Sequence, residues 1–356
     1  MVSWTICISV IVGALLAFQA GANSSLGNRS KSSSSAVLWS FLSGTVPCII
    51  YWLVEIQGGQ RINTLDSIGA NAIPWWAWAG GPLGLYYVGA ITVLAPRLGA
   101  AACLGVIVAA QLATAVILDH YGLIGLPQHT AAPGRIVGIV LSVAGVTLVM
   151  YGDSMVYRIT HRHRSKASAA LEQAKPVGQL DQANQADLEV QDTNAPVPEL
   201  AERIDWVWSA ALLTGAFLAG AALAFQAGVS GYMGTMTTPG FSALYNFVFG
   251  DVLIPIYWFF EPNGRKALNL KELITTSPWW IWIGGLIGSG YVLSITFLIP
   301  LLGAATNLGT NIVAQIIAAM VLDHLGWMGF KVQRASYVRV FGALVLLVGV
   351  VMVSAF

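Results

Sequence analysis

The stretch PWWAWAGGPLGLYYVGAITVLAPRLGAAACLG (residues 74–105) returns as PWWIWIGGLIGSGYVLSITFLIPLLGAATNLG (residues 278–309), with 19 of 32 positions identical. A repeat of this kind constrains topology before any local reading does. The register extends well beyond it. Gln19 matches Gln226, Gly44 matches Gly250, and Tyr51, Trp52 and Glu55 match Tyr257, Trp258 and Glu261. Further along, Gln111, Asp119-His120 and Arg135 match Gln315, Asp323-His324 and Arg339. Insertions fall between these blocks, so one unit has been copied once.

The unit is a membrane bundle. Hydrophobic residues make up 56% of the chain and charged ones 9%, with a mean hydropathy of +0.71. Apolar runs near 20 residues read as spanning helices. Ten are expected: 3–23, 36–56, 74–95, 98–118, 133–152, 206–227, 241–261, 278–299, 302–322 and 337–355. The fold class is therefore an all-α integral membrane protein of ten transmembrane helices, with five-helix repeats at 1–152 and 206–356. Between them, 153–205 is rich in Gln, Ala, Asp and Glu, and opens on a basic run from Arg158 to Lys166. Too little apolar surface leaves it a disordered hydrophilic linker. The first span lacks a basic leader, and its AFQAG recurs at 224–228, so it reads as a retained helix rather than a signal peptide. Cys7, Cys48 and Cys103 fall inside spans and read as small core residues.

Five is odd, so the second copy enters the membrane from the opposite side. Charge tests this independently. Loops after odd-numbered spans carry 15 of the 17 basic residues; Arg61 and Arg135 are the remaining two. That asymmetry follows the positive-inside rule. Equivalent loops also exchange their charge. The loop after the first span holds Arg29 and Lys31 in the first half, whereas 229–240 holds no basic residue. The loop after the second span holds Arg61 in one half but Arg265, Lys266 and Lys271 in the other. The halves are inverted, with the linker expected in the cytoplasm and both termini opposite. Asn23 and Asn28, each in a glycosylation sequon, then lie at the membrane edge or on the cytoplasmic face, where glycan is not added.

The doubled pattern comprises AFQAG, then SFLSG or NFVFG, then PWW-x-W-x-GG, then P-x-LGAA, and finally a Leu-Asp-His-x-Gly helix end followed by an Arg. It closely resembles the YdcZ-type family of inner-membrane exporters, a branch of the drug/metabolite transporter superfamily. The resemblance covers both halves and omits the linker. It implies a transporter in which two oppositely oriented five-helix units pair, here fused in one chain. It brings little about cargo.

Polar groups deep in spans are the candidate substrate-binding lining, because inverted repeats place such sites near the midplane. Gln19 and Gln226 sit beside Gly21 and Gly228 in the first helix of each half, either lining a site or bonding two helices. Asn307, Asn311 and Gln315 recur at i, i+4, i+8 and form one stripe, which is read as cavity lining with a helix interface as the alternative. Gln111 matches Gln315. Tyr87 and Tyr291 occupy matched, glycine-flanked positions in the third helices and either touch substrate or pack. Asp251, where the first half has Thr45, is the lone carboxylate near the middle of a span and a candidate for proton coupling. Asp119 with Arg135, and Asp323 with Arg339, are expected as structural ion pairs clamping the fourth and fifth helices. Glu55 and Glu261 read as solvated helix ends. The tryptophans of PWWAW and PWWIW read as an interfacial belt.

The sequence has no phosphate-cradling loop, no credible nucleophile and no metal-ligand cluster, so neither an enzyme nor a cofactor is expected. The near-neutral charge points to no nucleic-acid partner. The expected partners are the lipid bilayer and a small-molecule substrate, and fusion of the repeats favours a monomer. The reading is a secondary exporter of a small organic solute, working by alternating access. Its rivals are a non-transporting membrane scaffold and an intramembrane enzyme.

Overall fold

The computed structural model describes residues 2–60, 73–98, 100–125, 128, 132–149, 151–152, 156, 206–261, 270–329 and 336–355. Apart from Val156, the linker 153–205 expected to be disordered lies outside them. Helices of the first half are α1 (Val2–Ser30), α2 (Ser33–Glu55), α3 (Gly80–Leu98), α4 (Ala100–Tyr121) and α5 (Pro133–Val149). The second half supplies α6 (Trp206–Met236), α7 (Pro239–Phe260), a short α8 (Leu270–Thr276), α9 (Gly284–Leu302), α10 (Ala304–Leu325) and α11 (Tyr337–Ala355). Among the described residues there is no strand. Eight of these helices are long and apolar enough to cross a membrane, and α5 and α11 are shorter apolar helices. The protein is an all-α, multipass membrane protein.

Local chemistry sets the boundaries. Ser32 caps α2 by accepting from the Ser35 amide at 3.2 Å, and Thr238 caps α7 by accepting from Phe241 at 3.1 Å, with Pro239 opening that helix. Gly303 at φ 79 separates α9 from α10, a left-handed turn that a side chain would strain. The first helices run past their expected ends. At 29 residues, α1 is roughly 43 Å long, beyond the hydrocarbon thickness.

Contacts between equivalent helices show the inversion directly. Along α2 and α7, Phe41 meets Gly250 while Gly44 meets Phe247, so the two helices run in opposite senses. The Phe41 and Phe247 rings touch, with centroids 5.3 Å apart. Along α5 and α11, Gly138 lies against Gly349 and Val353 and Gly145 against Gly342 and Leu346, and beyond the end of α5 Gly152 lies against Val338. Again the numbers rise on one helix and fall on the other. A pseudo-two-fold axis therefore lies across the bundle, passing between matched residues.

The halves are interlaced rather than side by side. Gly13 of α1 presses on the backbone of Asn311 in α10, and its counterpart Gly220 of α6 presses on the backbone of Ile107 in α4. Small residues permit this approach, since lipid tails supply no net hydrophobic drive between helices. The tryptophan motifs also reach across. Trp39 donates its indole N–H to the Trp282 carbonyl at 3.0 Å, and Tyr245 donates its hydroxyl to the Trp78 carbonyl at 2.7 Å. Both ring pairs stand edge-on at 5.0 Å. Trp75 and Trp279 are 84% and 74% exposed, as belt residues should be.

Candidate functional site

At the centre of the bundle is a cavity of about 50 Å³ whose wall comes from α1, α2 and α3 and from their counterparts α6, α7 and α9. It is built of matched pairs: Leu16 and Leu223, Gln19 and Gln226, Ser40 and Asn246, Phe41 and Phe247, Gly84 and Gly288, Tyr87 and Tyr291, Val88 and Val292. The glycines make room for the amides. A Cβ on Gly288 would come within 2.5 Å of the Gln19 amide nitrogen, and one on Gly84 within 2.6 Å of that of Gln226. Each glutamine thus lies across the third helix of the opposite half.

Several polar groups here await partners. Neither glutamine amide makes a hydrogen bond among the described residues. The Tyr291 hydroxyl and Asn246 Oδ1 are buried without one. Desolvated groups of this kind are costly unless a water or a ligand satisfies them. A second matched feature stiffens the wall. Asn246 donates to the Ser230 hydroxyl at 3.1 Å and to the Ser242 carbonyl at 2.7 Å, while Asn23 donates to the Ser40 hydroxyl at 3.2 Å. The first–second helix bond is kept in both halves, with Asn and Ser exchanged.

Among the described residues, the cavity communicates with one side only. Leu16, Gln19, Tyr87 and Val88 also line a vestibule of about 370 Å³ that runs past Asn23, Ser24 and Asn28 to Lys31, Ser32, Ser33 and Glu261. The matched residues on the other side are sealed. Ser230, Val292, Ile295, Thr296 and Leu308 are all buried. The seal is packing plus hydrogen bonds. Ile299 lies 3.1 Å from where a Cβ of Gly231 would stand, and the Ser242 hydroxyl donates to the Ser230 carbonyl at 2.8 Å.

Glu261 marks the open mouth, and it is not a merely solvated helix end as the sequence suggested. It accepts from the Ser32 hydroxyl at 2.7 Å, the Ser33 amide at 3.1 Å and the Ser34 amide at 3.2 Å, and from the Ser34 hydroxyl. Burial pushes its carboxyl up, but those four hydrogen bonds outweigh it and hold the group below the usual carboxylate range. Glu55 makes the corresponding contact at the sealed end, accepting from the Gly240 amide at 3.0 Å. Each carboxylate thus clasps the N-terminus of the opposite half's second helix, where four amides lack intrahelical partners.

The other sequence candidates fall elsewhere. Asn307 and Asn311 do not line the cavity. The Ser9 hydroxyl lies 2.9 Å from Asn307 Oδ1 and 3.2 Å from Asn311 Oδ1, and the two residues join α10 to α1 at 0% and 2% exposure. The expected cavity stripe is a helix interface. Gln111 is buried on α4 and Gln315 partly buried on α10, both away from the cavity wall. Asp251 lies in the α2–α7 seam, not on the wall, and accepts from its own counterpart Thr45 at 2.5 Å; its Oδ1 is unpartnered.

Asp119 and Arg135 approach to 3.6 Å, as the clamp required. The carboxylate does more than that. It accepts from the Ala304 and Ala305 amides at 3.0 and 2.9 Å, capping α10 across the repeat boundary. Arg135 and Arg339 donate in matched fashion to the carbonyls of Val353 and Val149, each at 3.1 Å. The Asp323 side chain lies outside the described residues. Among the described residues no three His, Cys, Asp or Glu side chains converge as for a metal.

Sequence reasoning missed Ser40-Phe41 and Asn246-Phe247 as cavity residues. The signal was present, since both pairs sit in the repeated SFLSG and NFVFG segments.

The sequence model of the family described as "Putative inner membrane exporter, YdcZ" matches residues 4–148 and 211–352, once over each half. The inner membrane protein YdcZ of Escherichia coli (strain K12) is 32% identical over 121 residues, covering 34% of this chain and 78% of that protein. One solved crystal structure of a protein covers 96% of both chains with a TM-score of 0.52 and 13% identity, a likeness of fold alone.

Proposed function

The chain belongs to the YdcZ family of inner-membrane exporters, and from that premise we propose that it exports a small organic solute through the central cavity by alternating access. The observation that carries this reading is a symmetric cavity wall that, among the described residues, opens at one end and is packed shut at the other. Two inverted, homologous packings can exchange roles, so the sealed side opens when the open side adopts its counterpart's packing. The wall offers amides, hydroxyls and aromatic faces and no charged group. That chemistry suits a neutral or weakly cationic cargo with an apolar body and a few hydrogen-bonding groups. Catalysis has no nucleophile or acid–base pair in the cavity to carry it. Positive-inside charge supports a cytoplasmic vestibule mouth, appropriate for loading an exporter.

Purified full chain in liposomes, preloaded from a metabolite panel, should show counterflow that Gln226→Leu and Tyr291→Phe each weaken while thermal unfolding stays unchanged. Intact counterflow in both variants would remove this cavity as the transport site. Coupling to protons through Asp251 rests on its unpartnered Oδ1 at mid-span. An Asp251→Asn variant that still responds fully to a pH gradient would eliminate it.

A further inference from the structure

A second pocket, of about 200 Å³, opens on the lipid-facing flank where α1, α2, α7 and α8 meet the start of α9. Leu38, Trp39, Leu42, Trp258, Leu273 and Trp282 form most of its wall. The same place in the other half is filled. Phe241 stands there where the first half has Ser35, packs on Trp52 with centroids 6.2 Å apart, and joins a cluster with Met233, Trp78 and Tyr245. Ser35 is too short to do this, and its hydroxyl, buried in the pocket wall, has no hydrogen-bond partner.

Charge distinguishes the two flanks as well. On this flank α1 closes on Arg29 and the turn after it carries Lys31, whereas the equivalent stretch 229–240 carries no basic residue. The Arg29 guanidinium lies at the rim, donating at 3.4 Å to the carbonyl of Thr276 at the end of α8, the helix that contributes Leu273.

We propose that this pocket holds one acyl chain of an anionic phospholipid, with its headgroup against Arg29. An apolar recess bathed by the bilayer takes up hydrocarbon rather than water, which would find few partners there. Basic residues at the membrane surface select a negative headgroup over a neutral one. This site is separate from the central cavity and does not depend on the transport reading.

Native mass spectrometry of the full chain, exchanged into phosphatidylglycerol or phosphatidylcholine, tests the assignment. One phosphatidylglycerol should be retained, with phosphatidylcholine lost more readily. Ser35→Phe installs the side chain that fills the opposite flank without removing a hydrogen bond; losing contact with two or more methylenes should lower retention about tenfold. Ser35→Ala should leave retention unchanged, and Arg29→Gln should narrow the preference between the two lipids. Equal retention in Ser35→Phe, or no preference in the parent protein, would overturn the proposal. Should Ser35→Phe fold poorly, phosphatidylglycerol with a photoreactive diazirine in its acyl chain decides in the parent protein: labelling of the peptides bearing Leu273 and Trp282 supports the site, and labelling elsewhere refutes it.

Discussion

The two ends of the central cavity are made from matched residues, yet one is a vestibule and the other is closed. Their frameworks agree closely. The Asn–Ser bond between first and second helices, the Trp carbonyl contact and the glutamate clasp occur at both ends. What differs is a thin layer of side chains. Ile299 occupies the place of Ala95, Gly231 that of Ser24, and Ser242 that of Ala36. The architecture is thus indifferent to which end is open, and a few packing contacts decide it. Such a division suits the proposed exchange of the two states at modest cost.

The largest test strikes the shared framework. Asp119→Ala removes the α10 cap and the carboxylate facing the buried Arg135, so a loss of about 3–5 kcal/mol in unfolding stability is expected, read by thermal or denaturant unfolding in detergent; a loss below about 1 kcal/mol would mean the cross-repeat cap is incidental. Next, Ile299→Ala gives the sealed end the residue that the open end carries. It should cost about 2–5 kcal/mol and expose Ser230→Cys to a membrane-impermeant thiol reagent, while Ser24→Cys is labelled in either background. Continued protection of position 230 would show that the seal lies elsewhere.

Within the cavity the comparison sharpens further. Gln19→Leu and Gln226→Leu each remove one neutral hydrogen-bonding amide, worth about 0.5–1.5 kcal/mol, so transport efficiency in liposomes should fall roughly threefold to tenfold. Equal losses would mean that cargo contacts both halves. A loss confined to Gln19→Leu would place cargo in the vestibule alone.

The smallest effect concerns Glu261. Its folded carboxyl titrates below the ordinary value, so its clasp contributes fully above the unfolded pKa and is lost as pH falls through the folded one. Stability measured against falling pH should therefore drop slightly more in the parent than in Glu261→Gln. Parallel curves would show that the clasp adds nothing.

The repeat and its inversion were legible because each leaves a one-dimensional trace, in matching residues and in exchanged loop charges. Gln19, Gln226, Tyr87 and Tyr291 were legible for the same reason. The asparagines of α10 were misplaced because a polar stripe avoids lipid equally well against water or against Ser9, and periodicity cannot separate the two. Glu55 and Glu261 were misread because their partners are amides some 180 to 230 residues away, contacts that exist only once the halves have docked. The position of Asp251 off the cavity wall was not legible, because mid-span depth says nothing about which side of a helix faces inward.

The close seat of Gly13 on Asn311 carries a lesson about biogenesis. A ribosome delivers α1 to the bilayer nearly 300 residues before the segment that completes its notch, and α4 likewise waits for α6. Through that interval the early helices are held by insertion alone, with grooves shaped for neighbours not yet made. A message truncated after the first half would release a bundle whose best-fitting surfaces face lipid, a natural substrate for membrane quality control.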